Sequence, residues 1–451
     1  MESTKLDFRN MPVGRLFVSI FFPTLVGMLF MSALNIFDGM FVGHGVGPLA
    51  LAAINIVAPL FLICTGIGLM LGIGASVAGS IRLAHGNERE AGVIMTQAYV
   101  AGLVLFGVII AVSLLFTDGV LDLFGCNDTL RDLATDYLLW LLPGLLFLYL
   151  QCVGMMLIRL DGSPKYAMTV QIVAALFNIV LDWLFVFPFG LGIGGAAQAT
   201  SISCGIGGIM VLVYFLFFSQ KLRFRHIGRG RQALRSLGRN VANMAKIGMA
   251  TFIAELAIGL TMVTGNYMFL RYLGEDGVAA YSVGCYLFPL LFSINNAVAQ
   301  SAQPIISFNY GIDSLARVRR ALGISVVTAV ICGSVTLAGM WVGAPQLASL
   351  FLEPSAPAYA YACQGLPLLA LCTIFFAVNV TFIGYYQSIE QAMRSTLYTL
   401  LRGMIFIVPS FIILPALFGV PGLWLAIPVA EALTMAIIIW CYATGRKASA
   451  A

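Results

Sequence analysis

At 451 residues, with 60% apolar and only 10% charged side chains and a mean hydropathy of +0.97, the chain lies far outside the range of soluble domains, which are roughly a quarter charged. Its apolar runs are about 20–30 residues long, enough to cross a hydrocarbon layer of roughly 30 Å as helices, and they lack the period-two alternation of membrane barrel strands. A soluble enzyme is excluded and an all-α integral membrane protein is implied; the net charge of +5 would suit an anionic partner such as nucleic acid, but its placement follows membrane topology instead.

In chain order, polar punctuation separates twelve spans, at about 14–42, 48–80, 91–117, 133–158, 166–187, 193–218, 244–272, 277–309, 317–342, 359–386, 395–417 and 422–444. The first is too long for a signal-peptide core and contains Pro23, Asn35 and Asp38, so it reads as a crossing rather than a cleaved leader. With an inner N-terminus, 21 of the 24 Lys and Arg fall in inner segments, Arg131 and Arg271 fall in outer loops, and Arg402 lies within a span. That bias places both termini in the cytoplasm of a multi-pass cell membrane, by inference bacterial. Eight of the basic residues sit in the polar connection 219–246. They could meet anionic lipid or a partner, but a linker obeying the topology rule is the simpler reading.

The connection divides the chain into an N-lobe (1–218), a basic linker (219–243) and a C-lobe (244–451), and the two lobes look like repeats. At an offset near 230, LALAAINIVAPL (49–60) matches AAYSVGCYLFPL (279–290), bringing Pro59 onto Pro289. At an offset of 227, FGLGIGGAAQA (189–199) falls near LFGVPGLWLAI (417–427), so that Gly192 meets Gly419 and Gly195 meets Gly422. Six plus six spans of one orientation imply two pseudo-symmetric six-helix lobes about an axis along the membrane normal, with a central cleft, a plan common among transporters.

Only four of the nineteen acidic residues fall deep in the spans: Asp38, Asp182, Glu255 and Glu431. A carboxylate at bilayer depth costs on the order of 2.5–3.5 kcal/mol on insertion scales and so marks an ion or substrate path. Asn35 and Asp38 share one face of span one, and Asn178 and Asp182 share one face of span five. Together with Thr200 of span six they form a candidate site for a proton or Na⁺, the Na⁺ being held at Asp38, Asn178 and Asp182. Pro23 is the candidate kink of span one. In the C-lobe, Glu255 and Asn266 lie on one face, while Asn295, Gln300 and Gln303 make span eight unusually polar; these are the candidate second acid and substrate contacts. Arg402 and Glu431 read as an ion pair. The three His residues (44, 85, 226) sit in predicted loops, there is no P-loop or H-E-x-x-H, and the nine Cys lack metal or redox spacing. No enzyme and no cofactor beyond a coupling ion are expected.

The run GSPKYAMTVQIVAALFNIVLDWLFVF…LGIGGAAQAT (162–200) resembles the span five and six signature of the multidrug and toxic compound extrusion (MATE) family. NIFDGMFVGHGVGPLALAA is similar to its span one to two segment, and YYQSIEQAMRSTLYTLLRGMIFIVPSFIILPALFGVPGLWLAIPVAE to its spans ten to twelve. The resemblance implies alternating access and export of cationic, amphipathic drugs in exchange for H⁺ or Na⁺ by a monomer. It also implies that Asp38, Asn178, Asp182 and Thr200 form the N-lobe cation site, with Glu255 the C-lobe acid. The alternative is a flippase of polyprenyl-linked sugars, which shares the two-lobe plan but typically has fourteen spans and a cationic cavity. Here the intramembrane charges are four acids to one Arg.

Overall fold

The computed structural model describes residues 6–228 and 230–448, without the side chains at 35, 36, 39, 43, 44, 48, 51 and 445–448. In lipid every backbone N–H and C=O must be satisfied within the chain, which makes helices of the apolar runs. They are α1 (Val13–Gly45), α2 (Pro48–Ala84), α3 (Glu88–Leu115), the short α4 (Thr117–Leu123), α5 (Asp128–Leu160), α6 (Pro164–Val186) and α7 (Gly192–Val213), the last ending in a π-turn at Tyr214–Phe218. There follow α8 (Arg231–Gly311), α9 (Leu315–Ser349), α10 (Pro357–Ala370), α11 (Cys372–Ser388) and α12 (Ala392–Leu400). A second π-turn at Leu401–Ile405 leads into α13 (Ile407–Phe418), and α14 (Val420–Ala448) closes the chain. Proline opens α2, α6 and α10, where its missing N–H costs nothing. Asn87 and Asn127 cap α3 and α5 by accepting from the N–H of Glu90 and Leu130.

Eleven helical stretches among the described residues are long and apolar enough to cross a bilayer. One of them, α8, is double, because Gly274 (φ 67°, ψ −154°) breaks it. The crossings therefore number twelve, as the hydropathy pattern predicts. The polar connection is shorter than that pattern suggests: α8 starts at Arg231 and carries the second half of the basic stretch as helix.

The chain forms two compact units, one of residues 1–252 with 307–315, the other of 253–306 with 316–451. In the first, α5 is the pillar, and glycines let its neighbours approach closely. Gly68 and Gly72 of α2 face Cys152 and Val153 of α5, and Gly144 of α5 faces Ser201 of α7. Small residues one turn apart replace the hydrophobic effect as the basis of helix association in lipid, since they let backbones touch. In the second unit Trp424 is the buried centre, 4.9 Å from Phe269 and 6.4 Å from Tyr281 between ring centroids. Gly365 leaves the space that its indole fills.

The turns carry the repeat more clearly than the sequence does. Backbone φ is positive at Gly47 and Gly274, at Gly86 and Asp313, and at Gly192 and Gly419, each pair 227 residues apart; Gly162 and Glu390 do the same at 228. The break in α8 is thus the second copy of the turn between α1 and α2. It also corrects the register of the first match: near these turns the offset is 227, so Pro59 and Pro289 stand three residues out of step.

Candidate cation site

Helices α1 and α6 lie side by side in the first unit, and their register is set by a small residue. A Cβ on Gly27 of α1 would collide with the Gln171 side chain of α6, so glycine is what admits that glutamine. Asp38 and Asp182 each follow by eleven residues, about 16 Å and three turns along their own helices, and so meet face to face. Farther along, Phe187 packs edge-on against Phe41 at 6.0 Å.

The Asp38 and Asp182 carboxyls are within hydrogen-bonding reach of each other. Asp182 is fully buried and Asn178 is 1% exposed. With the Asn178 amide turned so that both its ends are satisfied, its nitrogen donates to Asp182 Oδ2 at 3.0 Å and its oxygen accepts from the Thr200 N–H at 3.3 Å. The Thr200 hydroxyl stands 3.5 Å from that end of the amide. Asp182 Oδ1 has no hydrogen-bond donor among the described residues. Two carboxyl groups so close, one of them accepting from an amide, can be neutralised by a shared proton or by a monovalent cation held among carboxylate, amide and hydroxyl oxygens. The donor set is hard oxygen, which suits H⁺ or Na⁺ and not a transition metal. Among the described residues no group of three His, Cys, Asp or Glu side chains could hold a metal ion.

Tyr137 of α5 is a neighbour that the sequence reading missed: it is 7% exposed and lies within electrostatic range of both Asp38 and Asp182. A tyrosine in a leucine-rich span gives no signal of its own; only the packing of α5 reveals it. The side chain of Asn35 lies outside the described residues. Pro23 is inside α1, which continues through it as helix.

The C-lobe candidates are spread along α8, from Glu255 to Gln303. Glu255 is partly buried and has no ion-pair partner among the described residues, while Asn266, about 16 Å farther along α8, is exposed. Asn295 turns back onto its own helix, donating to the Leu291 carbonyl at 3.1 Å. Gln303 is buried and Gln300 half-buried. Arg402 and Glu431 do pair, at 2.7 Å, and Asn379 of α11, another residue unseen in the sequence, donates to Glu431 Oε2 at 2.7 Å. The guanidinium also stands 4.3 Å from the centre of the Phe376 ring.

The MatE family model matches residues 23–184 and again residues 249–412, so the two matches start 226 residues apart and end 228 apart. The chain belongs to the MATE family. The double match agrees with the turn register, and at intervals of 227–228 Asn178 falls on Ile405 or Phe406 and Asp182 on Pro409 or Ser410, none of them acidic. The multidrug export protein MepA of Staphylococcus saprophyticus is 23% identical over 409 residues, 91% of this chain and 89% of that protein. A protein of Shewanella oneidensis named as an FAD transporter is 26% identical over 428 residues, 94% and 92% of the two chains. Among solved structures, a multidrug resistance MATE transporter in an outward-facing conformation superposes with a TM-score of 0.90 at 21% identity, over 98% of this chain and 97% of that one. A MATE protein in complex with MaL6 gives 0.88 at 22% identity, over 96% of each.

Proposed function

We propose that this MATE protein is a secondary antiporter that exports cationic or amphipathic organic compounds in exchange for H⁺ or Na⁺, with Asp38 and Asp182 as the ion-carrying pair. The observation that supports this most is the Asp182 carboxyl, buried against a second carboxyl with one oxygen lacking a donor. Cation entry from outside neutralises the pair and favours substrate release; loss of the cation to the cytoplasm resets it. One monovalent cation moving down about 100 mV releases about 2.3 kcal/mol, enough for roughly a fifty-fold gradient of a neutral substrate at tight coupling. The orientation we infer, both termini cytoplasmic in a bacterial cell membrane, rests on the placement of Lys and Arg. The Shewanella relative makes a flavin dinucleotide a second substrate to test beside organic cations.

The test is ethidium-type dye efflux from proteoliposomes under separately imposed proton and Na⁺ gradients. The wild type is expected to respond to one of them and Asp182→Asn to neither. Full gradient-driven efflux by Asp182→Asn would remove the ion role from this pair.

A further inference from the structure

The basic connection is fastened to the first unit in a way that a passive tether would not require. Asp161, at the turn between α5 and α6, is only 3% exposed. Its Oδ1 accepts from the N–H groups of Lys221 and Leu222, both at 2.8 Å. Its Oδ2 accepts from the N–H of Gln220 at 2.8 Å and the Tyr214 hydroxyl at 2.6 Å. A carboxylate holding three consecutive main-chain donors fixes the direction of the chain that follows.

That chain then alternates. Leu222 is fully buried, and Phe224 packs between Tyr99 and Phe215 at 5.5 and 6.1 Å. The exposed Lys221, Arg223 and Arg225 point the other way. The Arg225 N–H donates to Thr96 Oγ1 at 2.9 Å, and Gly92 leaves room for the Arg223 carbonyl and the Arg225 stem. The cations of this strap recur every second residue, about 6.6 Å apart along an extended chain. Arg231, Arg235, Arg239 and Lys246 continue the row, all exposed on one face of the first turns of α8, which Asn240 anchors by donating to Gln97 Oε1 at 2.7 Å. Leu234, 68% exposed, stands among them. None of these seven cations is in an ion pair among the described residues; Asp7 is the carboxylate within electrostatic range of Lys221.

The next turns of α8 are apolar, in a helix long enough to cross a membrane, and such a crossing would set the row at headgroup level. We infer that the strap (220–225) and the first turns of α8 (231–246) form a docking surface for anionic phospholipid headgroups. Charge complementarity selects that occupant, since the cytoplasmic leaflet carries the anionic lipid and Leu234 can enter the interface beside it. The leaflet assignment rests on the orientation proposed above. Lipid binding measured on purified protein in mixed micelles does not, so the two can fail separately.

The test is native mass spectrometry of the full chain with equal phosphatidylglycerol and phosphatidylcholine. The wild type is expected to retain phosphatidylglycerol preferentially, and 0.5 M NaCl to weaken that preference. Lys221→Gln/Arg223→Gln/Arg225→Gln should lower it about ten-fold or more. Arg89→Gln/Arg319→Gln/Arg320→Gln, which removes as much charge from other exposed positions, should leave it unchanged. Asp161→Asn separates placement from charge: it makes the protein more positive, yet by releasing the strap it should weaken phosphatidylglycerol binding. If that variant does not fold, Thr96→Ala, which frees Arg225, serves the same comparison. Equal loss in the two triple variants, or stronger binding by the released strap, would overturn the inference.

Discussion

At the scale of single residues, two charged clusters lie at membrane depth and their chemistry differs. Asp182 has a carboxyl neighbour and one amide donor. Glu431 has a guanidinium and an amide, so the second cluster carries its own cation, while the first is the one proposed above to take a mobile cation. Neutralising Glu255 is therefore expected to leave part of the gradient-driven dye efflux intact, whereas Asp182→Asn abolishes it; efflux assays on the two variants at equal expression decide. Removing one partner of a buried ion pair leaves an uncompensated charge and typically destabilises by about 3–5 kcal/mol, while replacing both is close to neutral. Arg402→Met should accordingly lower the thermal unfolding midpoint in detergent markedly, and Arg402→Met/Glu431→Leu should recover most of it. Asn379 keeps a partner in the double variant, because it also donates to the Glu431 main-chain carbonyl at 2.9 Å. The acids themselves were legible in the sequence, since a charge inside an apolar run stands out against its background. Their partners were not. Tyr137 and Asn379 become visible only through contacts between helices, and the shared face of Glu255 and Asn266 did not reveal that Asn266 is exposed.

At the scale of elements, the meeting of Asp38 and Asp182 depends on the distance between α1 and α6, which Gly27 and Gln171 set three turns away. Gly27→Leu should push the helices apart and weaken gradient-driven efflux by about ten- to a hundred-fold, since misplacement by about 1 Å is enough to disable a preorganised site. Gln171→Ala returns the room, so Gly27→Leu/Gln171→Ala is expected to restore activity in part. No rescue, with both variants folded, would mean that this contact does not set the site. Helix positions follow from hydropathy because lipid allows the backbone almost nothing else, and all twelve crossings were readable for that reason. The helical start of α8 at Arg231 was not, because polar and basic residues read alike in a loop and in a solvated helix turn.

For the molecule as a whole, the governing fact is duplication with divergence. The turns recur at 227–228 residues with positive φ and the family model matches twice at the same interval. At that interval the Asn178–Asp182 pair falls on Ile405–Phe406 and Pro409–Ser410, where there is no acid, so the frame was retained and this acid stands in one half. The same divergence accounts for the two non-glycine residues with positive φ among the described residues, Asp313 (54°) and Glu390 (57°): each stands where the other half has a glycine, at Gly86 (77°) and Gly162 (92°). A left-handed backbone costs an L-residue roughly 1–2 kcal/mol, and Asp tolerates it better than Glu because its short side chain can bond locally. Glycine removes that strain but adds freedom to the unfolded chain worth about 0.4–1 kcal/mol. Glu390 is exposed and forms no salt bridge among the described residues, so nothing else is lost with its side chain. Glu390→Gly should therefore stabilise by up to about 1 kcal/mol, Asp313→Gly by less, and Gly162→Glu should destabilise. Thermal unfolding of the three variants in one detergent gives the order directly, and a Glu390→Gly variant less stable than the wild type would show that this turn no longer follows its counterpart.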